Sequence, residues 1–135
     1  MNWVSAAFVS LFSFGVWGLL TKLAVLHIDA RSALIYQTLG VVIIAIITLG
    51  LINFKPASDV KGISYGILTG LAYGIGCLFY FMAASKGKII TVVTLTALYP
   101  LVTIILAYLF LQETVSMKQC LGIGLAFVAI LLMSA

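Results

Sequence analysis

Thr96, Tyr99 and Thr103 recur at i, i+3 and i+7, a spacing that puts three hydroxyls on one stripe of a helix. Pro100 stands within that stripe, inside a long apolar run. Proline lacks an N–H, and its ring clashes with the carbonyl four residues back, here that of Thr96. A helix kinked at Pro100, with a freed acceptor at Thr96, is therefore expected. Interrupted helices at mid-membrane are where transporters hold their solutes; the competing role is a structural kink whose hydroxyls bond their own backbone. Ser10, Ser13 and Trp17 repeat the same spacing near the N-terminus, with Thr21 on the same side. Gln37 is an amide in a second apolar run, where it needs a partner. Tyr65, Thr69, Tyr73 and Tyr80 add rings and hydroxyls from a third. Ser13, Trp17, Gln37, Tyr73, Thr96, Tyr99 and Thr103 are the candidate substrate-binding residues. Aromatic walls with a few hydroxyls suit small amphipathic molecules or amino acids. Helix-to-helix hydrogen bonding and an interfacial aromatic belt are the alternatives for any one of them.

Other chemistry lacks its residues. No Asp or Glu falls inside an apolar run, which leaves an intramembrane carboxylate proton relay unsupported. His27, the single histidine, lies between runs, and no Ser/His pair, HExxH motif or carboxylate dyad exists. An enzyme is not expected. Cys77 and Cys120 show no metal-ligand spacing and read as small core residues, so neither metal nor cofactor is indicated. The net charge of +4 comes from basic residues scattered singly over the loops, which suits lipid headgroups rather than nucleic acid.

The elements that position these residues follow from composition. Of 135 residues, 64% are hydrophobic and only 7% charged. A helix needs about 20 apolar residues to cross the hydrocarbon core, and five such runs fill the chain. They cover about 3–26, 33–54, 62–85, 89–111 and 117–135 within a single transmembrane domain of residues 1–135. The runs are too long and too evenly apolar for barrel strands. The expected fold class is all-α integral membrane, with five transmembrane helices and the N- and C-termini on opposite sides. No Lys or Arg precedes Lys22, so the first run reads as a retained span, not a cleaved signal. Trp3 suits a headgroup-level anchor, and Lys22 is expected to snorkel outward from the far end.

Local signals mark the ends of these spans. Asp29 and Ser32 precede the second, and Asp59 suits the positive end of the third helix. The short link Ser85–Lys88 forces the third and fourth spans to be antiparallel neighbours. Ser116 followed by Gln119 fits a capping box, so the fifth helix starts at Met117 and runs to Ala135. Gly62, Gly66, Gly70 and Gly74 form a helix-packing groove, either within the chain or against a second one, and Gly70→Leu is expected to disrupt that packing. Lys55, Lys61 and Lys118 lie on the N-terminal side, against Arg31, Lys86 and Lys88 on the other, joined by Lys22 if it points outward. So small a bias leaves two readings: copies inserted both ways and paired as antiparallel homodimers, or one orientation set by a paired five-span partner or by details that the charge count misses.

The stretch Thr94–Met133 resembles the second half of an EamA domain, the module of the drug/metabolite transporter superfamily. Its marks are Leu98-Tyr99-Pro100, the run Ala107 to Glu113 (Ala-Tyr-Leu-Phe-Leu-Gln-Glu), and Gly122. Trp17-Gly18 followed by Lys22 looks like the family's first span, and Tyr80 to Ala84 like its third. The similarity covers essentially the whole chain. Most members carry two such domains, inverted relative to each other; this chain looks like a single-domain, five-span bacterial or archaeal transporter. The resemblance implies a secondary transporter with solute held near the midplane. Glu113 would be the family's loop glutamate, with a structural role near a helix end. The related small multidrug resistance proteins use a glutamate inside the first span; nothing equivalent stands here.

The expected function is transport of small metabolites or amphipathic solutes across a prokaryotic cytoplasmic (inner) membrane, by alternating access in a dimer. A non-transporting membrane subunit or interaction partner of a larger complex is the alternative.

Overall fold

A computed structural model describes residues 2–134 as helices joined by short loops. The order is α1 (Trp3–His27), α2 (Ala30–Leu51), α3 (Val60–Lys86), α4 (Ile89–Thr96), α5 (Tyr99–Leu106), a π-helical turn (Ala107–Leu111) and α6 (Met117–Ser134). Four stretches are long and apolar enough to cross a membrane: α1, α2, α3 and the interrupted Ile89–Leu111. The shorter apolar α6 is the fifth; its 18 residues rise about 27 Å, close to the ~30 Å core. The protein is thus an all-α, five-helix membrane protein. Ala135, the expected end of the fifth helix, lies outside the described residues.

Side chains near the helix starts do much of the capping. Asp29 accepts from the backbone N–H groups of Arg31 (2.9 Å) and Ser32 (3.1 Å) and from the Ser32 hydroxyl. These bonds satisfy donors that the first turn of α2 cannot pair internally. α2 accordingly starts at Ala30, three residues before the expected span, with Ser32 inside its first turn. Asp59 accepts from the Gly62 N–H at 2.8 Å and starts α3. Ser116 and Gln119 form the reciprocal pair expected of a capping box: the Gln119 N–H donates to Ser116 Oγ (3.3 Å), and the Ser116 N–H to Gln119 Oε1 (2.8 Å).

α2 ends before Phe54, the expected limit, for a backbone reason. Asn53 and Phe54 have φ of 52° and 57°. The Phe54 N–H donates to Leu49 O (3.0 Å) and the Asn53 N–H to Gly50 O (3.0 Å), a Schellman closure with Asn53 in the left-handed position. Pro100 also differs from expectation. It does not kink a continuous helix. α4 stops at Thr96, Ala97 and Leu98 make a turn, and Pro100 is the second residue of a new helix, where no N–H is required.

The chain divides into two compact units, α1–α3 and α4–α6. In the first, the buried core is Ala33, Cys77 and Phe81, with Trp17, Ala24, Val25, Ala30 and Leu34 packed against it. Gly18, Thr21 and Ala84 are also buried. These positions all lie toward the end of the unit where α1 meets α2 and α3 terminates. Small residues there let the helix backbones approach closely. Between Leu34 and Gly76 no residue is buried, and α1 before Trp17 has no buried residue either. The three helices therefore meet tightly over one half of their length and present exposed side chains over the other. In the second unit α6 packs on α4.

Lys22 does not simply extend to water. Its Nζ donates to Ala84 O at 2.7 Å, in the last turn of α3. A cation at the negative end of a helix dipole is well placed. Arg31, Lys55, Lys61, Lys86, Lys88 and Lys118 stay exposed.

Candidate functional site

At the junction between the packed and open halves of the first unit, three helices are joined by one polar thread. Trp17 Nε1–H donates to Gln37 Oε1 at 2.6 Å, and Gln37 Nε2–H donates to Tyr73 OH at 3.4 Å. An indole N–H can only donate, so the carbonyl end of the amide must face Trp17 and its NH₂ must face Tyr73. That orientation leaves the second amide hydrogen and the Tyr73 hydroxyl proton directed elsewhere. The position of Trp17 is held from behind by Tyr80, ring centroids 4.6 Å apart, and by Phe81, edge-on at 6.5 Å. Tyr73 remains 43% exposed, toward the open half. By helical rise, Gln37 is about 10 Å inside α2 and Tyr73 about 20 Å from either end of α3. The thread is therefore well within the hydrocarbon depth.

Ser13 sits one turn before Trp17 on α1, exposed, its hydroxyl donating to Val9 O at 2.8 Å. Thr21, one turn after Trp17, is buried and bonds Trp17 O at 2.9 Å. Three of the seven candidate residues are thus brought into direct contact, with Ser13 adjacent to them along the helix.

The span-four candidates belong to the second unit. Thr96 donates to Val92 O (2.8 Å), and Thr103 to Tyr99 O (3.3 Å), so both hydroxyl protons are engaged by their own backbone. Tyr99 is 66% exposed. None of the three lines the space of about 460 Å³ that opens in this unit between α5 with its π-helical turn and α6. Its wall is mainly apolar, with Pro100, Ile104 and Tyr108 on one side and Gly122, Ala126 and Ile130 on the other, and Glu113 and Thr114 at one end. Nothing in the sequence marks this space beyond small residues such as Gly122 and Ala126. Glu113 caps no helix in the structure, since Ser116 and Gln119 do that for α6.

The glycine row of α3 faces open space. A Cβ at Gly66, Gly70 or Gly74 would meet nothing within 4 Å, and at Gly62 only the capping Asp59 at 3.5 Å. Among α1, α2 and α3 nothing packs against Gly66, Gly70 or Gly74 closely enough to meet a Cβ.

Comparison with known proteins agrees with these features. The EamA-like transporter family matches residues 1–135. The chain is 34% identical over 101 residues to the uncharacterized protein MJ1333.1 of Methanocaldococcus jannaschii, covering 75% of this chain and 73% of that one. It is 34% identical over 85 residues to the chloroplastic WAT1-related protein At3g02690 of Arabidopsis thaliana, covering 63% of this chain and 20% of that one. It is 27% identical over 105 residues to the glucose uptake protein GlcU of Staphylococcus xylosus, covering 78% of this chain and 35% of that one. The chain thus spans only about a fifth and a third of the length of the latter two. No solved structure matches it. Five apolar helices, an interrupted fourth span and a family match over the whole length lead to one conclusion: the chain belongs to the EamA-like transporter family.

Proposed function

We propose that this membrane transporter moves small metabolites or amphipathic solutes across the cytoplasmic membrane of a prokaryote, by alternating access in a dimer of five-helix units. The observation that carries the reading is the Trp17–Gln37–Tyr73 thread. An amide in hydrocarbon is costly, and one tied to two aromatic side chains from two other helices is held in a defined orientation. The spare amide hydrogen then offers a donor, and the exposed Tyr73 oxygen an acceptor, to a solute entering the open half. Ser13 extends the same face of α1 by one turn. Thr96, Tyr99 and Thr103 are proposed as solute-facing positions of the second unit.

Two facts support pairing. The chain matches only about a third of the GlcU relative, which leaves that protein room for further helices. An odd number of crossings lets a second copy insert upside down beside the first, the inverted arrangement of many transporters. The similarity to a glucose uptake protein makes glucose, beside neutral amino acids, the first solute to test.

The test is uptake of radiolabelled glucose and neutral amino acids into proteoliposomes. The wild type should give saturable flux for at least one solute. Gln37→Leu and Tyr99→Ala should each lower that flux at least about tenfold while far-UV circular dichroism and gel filtration stay unchanged. Wild-type flux in Gln37→Leu would remove the thread from the solute path, and wild-type flux in Tyr99→Ala would remove span four.

A further inference from the structure

The second unit holds a charge and a cavity that the transport reading does not use. Of the three acidic residues in the chain, Asp29 and Asp59 are occupied as helix caps. Glu113 makes no hydrogen bond or ion pair among the described residues. It stands at one end of the 460 Å³ cavity, a volume within the ~300–1,000 Å³ range of small-molecule sites. Beyond Glu113 and Thr114 the walls become apolar and continue along α6 from Gln119 to Ile130. That length is about 16 Å by helical rise, and half of the hydrocarbon core is about 15 Å. The cavity is as deep as one leaflet, apolar along its length and acidic at its headgroup end. Lys118 stands in the first turn of α6, one residue before Gln119 of the cavity wall. The fourth span also departs from regular helix here, with Pro100 starting α5 and a π-helical turn carrying Tyr108; such turns cluster at functional sites.

We propose that this cavity is a phospholipid site that takes one acyl chain of an amine-headed lipid, phosphatidylethanolamine. The chain lies between α5 and α6. The primary ammonium donates to the Glu113 carboxylate, and the phosphate faces Lys118, so the zwitterionic headgroup meets charges of matching order. A choline headgroup keeps the positive charge but has no N–H to donate, so it binds more weakly. An anionic headgroup without an amine meets Glu113 as a like charge.

The test uses the full chain in nanodiscs of phosphatidylcholine doped with phosphatidylethanolamine carrying a photoactivatable acyl chain. Labelled peptides are then mapped after digestion. Label should fall on residues 97–130, with the matched choline probe labelling about tenfold less. Glu113→Gln, which keeps size and shape, should lower labelling by the ethanolamine probe to the choline level. Gly122→Leu should abolish labelling by both probes. Its Cβ meets nothing within 4 Å, and the rest of the side chain takes up space beside the cavity wall that Gly122 forms. Circular dichroism on each variant confirms the fold, and if Gly122→Leu does not fold, Glu113→Gln decides alone. Equal labelling by the two probes, or wild-type labelling in Glu113→Gln, overturns the proposal. So does a cavity that takes no lipid label because a helix of this chain or of a second copy covers it.

Discussion

Gln37 is the residue whose chemistry is most constrained by its surroundings. It accepts from one aromatic side chain and donates to another, on two different helices. Gln37→Leu keeps the volume roughly constant but leaves the Trp17 N–H without its acceptor, at a cost of about 1 kcal/mol. The expected result is a small drop in thermal stability with a change in Trp17 fluorescence, far smaller than the drop in flux. Asp29 gives a pH-dependent prediction. Its carboxyl is held below the usual carboxylate range, first by the Ser32 hydroxyl and then by the Ser32 N–H; desolvation opposes them and the Arg31 N–H adds to them. A folded-state pKa below the unfolded one adds stability above about pH 4, which is lost as pH falls through the lowered value. The start of α2 should therefore loosen in acid, and Asp29→Asn should remove that pH dependence when amide exchange of Arg31 and Ser32 is followed. Asn53 holds the left-handed turn that closes α2. Asn53→Val, β-branched and unsuited to that conformation, should destabilise the helix end by about 1–2 kcal/mol in thermal unfolding.

At the scale of elements, the helix starts were readable from sequence and the packing faces were not. Asp29, Asp59 and the Ser116–Gln119 pair act within three or four residues of themselves, so their roles follow from spacing alone. The end of α2 escaped because Asn53 closes the helix through its φ, not through a change in hydropathy. The break at Pro100 was legible as an interruption, but its form was not: a stop and restart, rather than a kink. Pro100→Ala restores an N–H and removes the ring. It should extend α4 into α5 and shorten the distance distribution between spin labels at positions 92 and 104 into one narrow peak. The glycine row gives the opposite kind of test. Since position 70 faces open space, Gly70→Leu should leave the monomer's thermal unfolding within about 0.5 kcal/mol of wild type. If the row is where a second copy docks, the same change should lower the dimer fraction in native lipid particles.

For the molecule as a whole, orientation is the quantity its charges leave open. Lys22 is drawn onto the α3 terminus, and the remaining basic residues divide evenly if all five helices cross. Tags on both termini, probed from outside intact cells, should each be accessible in part of the population; a single uniform pattern would rule out dual insertion. Length and composition alone determined that this chain crosses a membrane five times as helices, because about 20 unbroken apolar residues have no other stable use in a chain so poor in charge. They also contained the polar residues of the candidate site. Only the tertiary structure decided that Trp17, Gln37 and Tyr73 meet while Thr96 and Thr103 bond their own backbone, that α1, α2 and α3 pack at one end, and that a cavity opens beside α6. The physical reason lies in the solvent. In water a helix marks its buried face by hydrophobicity, but lipid is as apolar as a protein core, so the side chains that face each other and those that face lipid look alike until the helices are assembled.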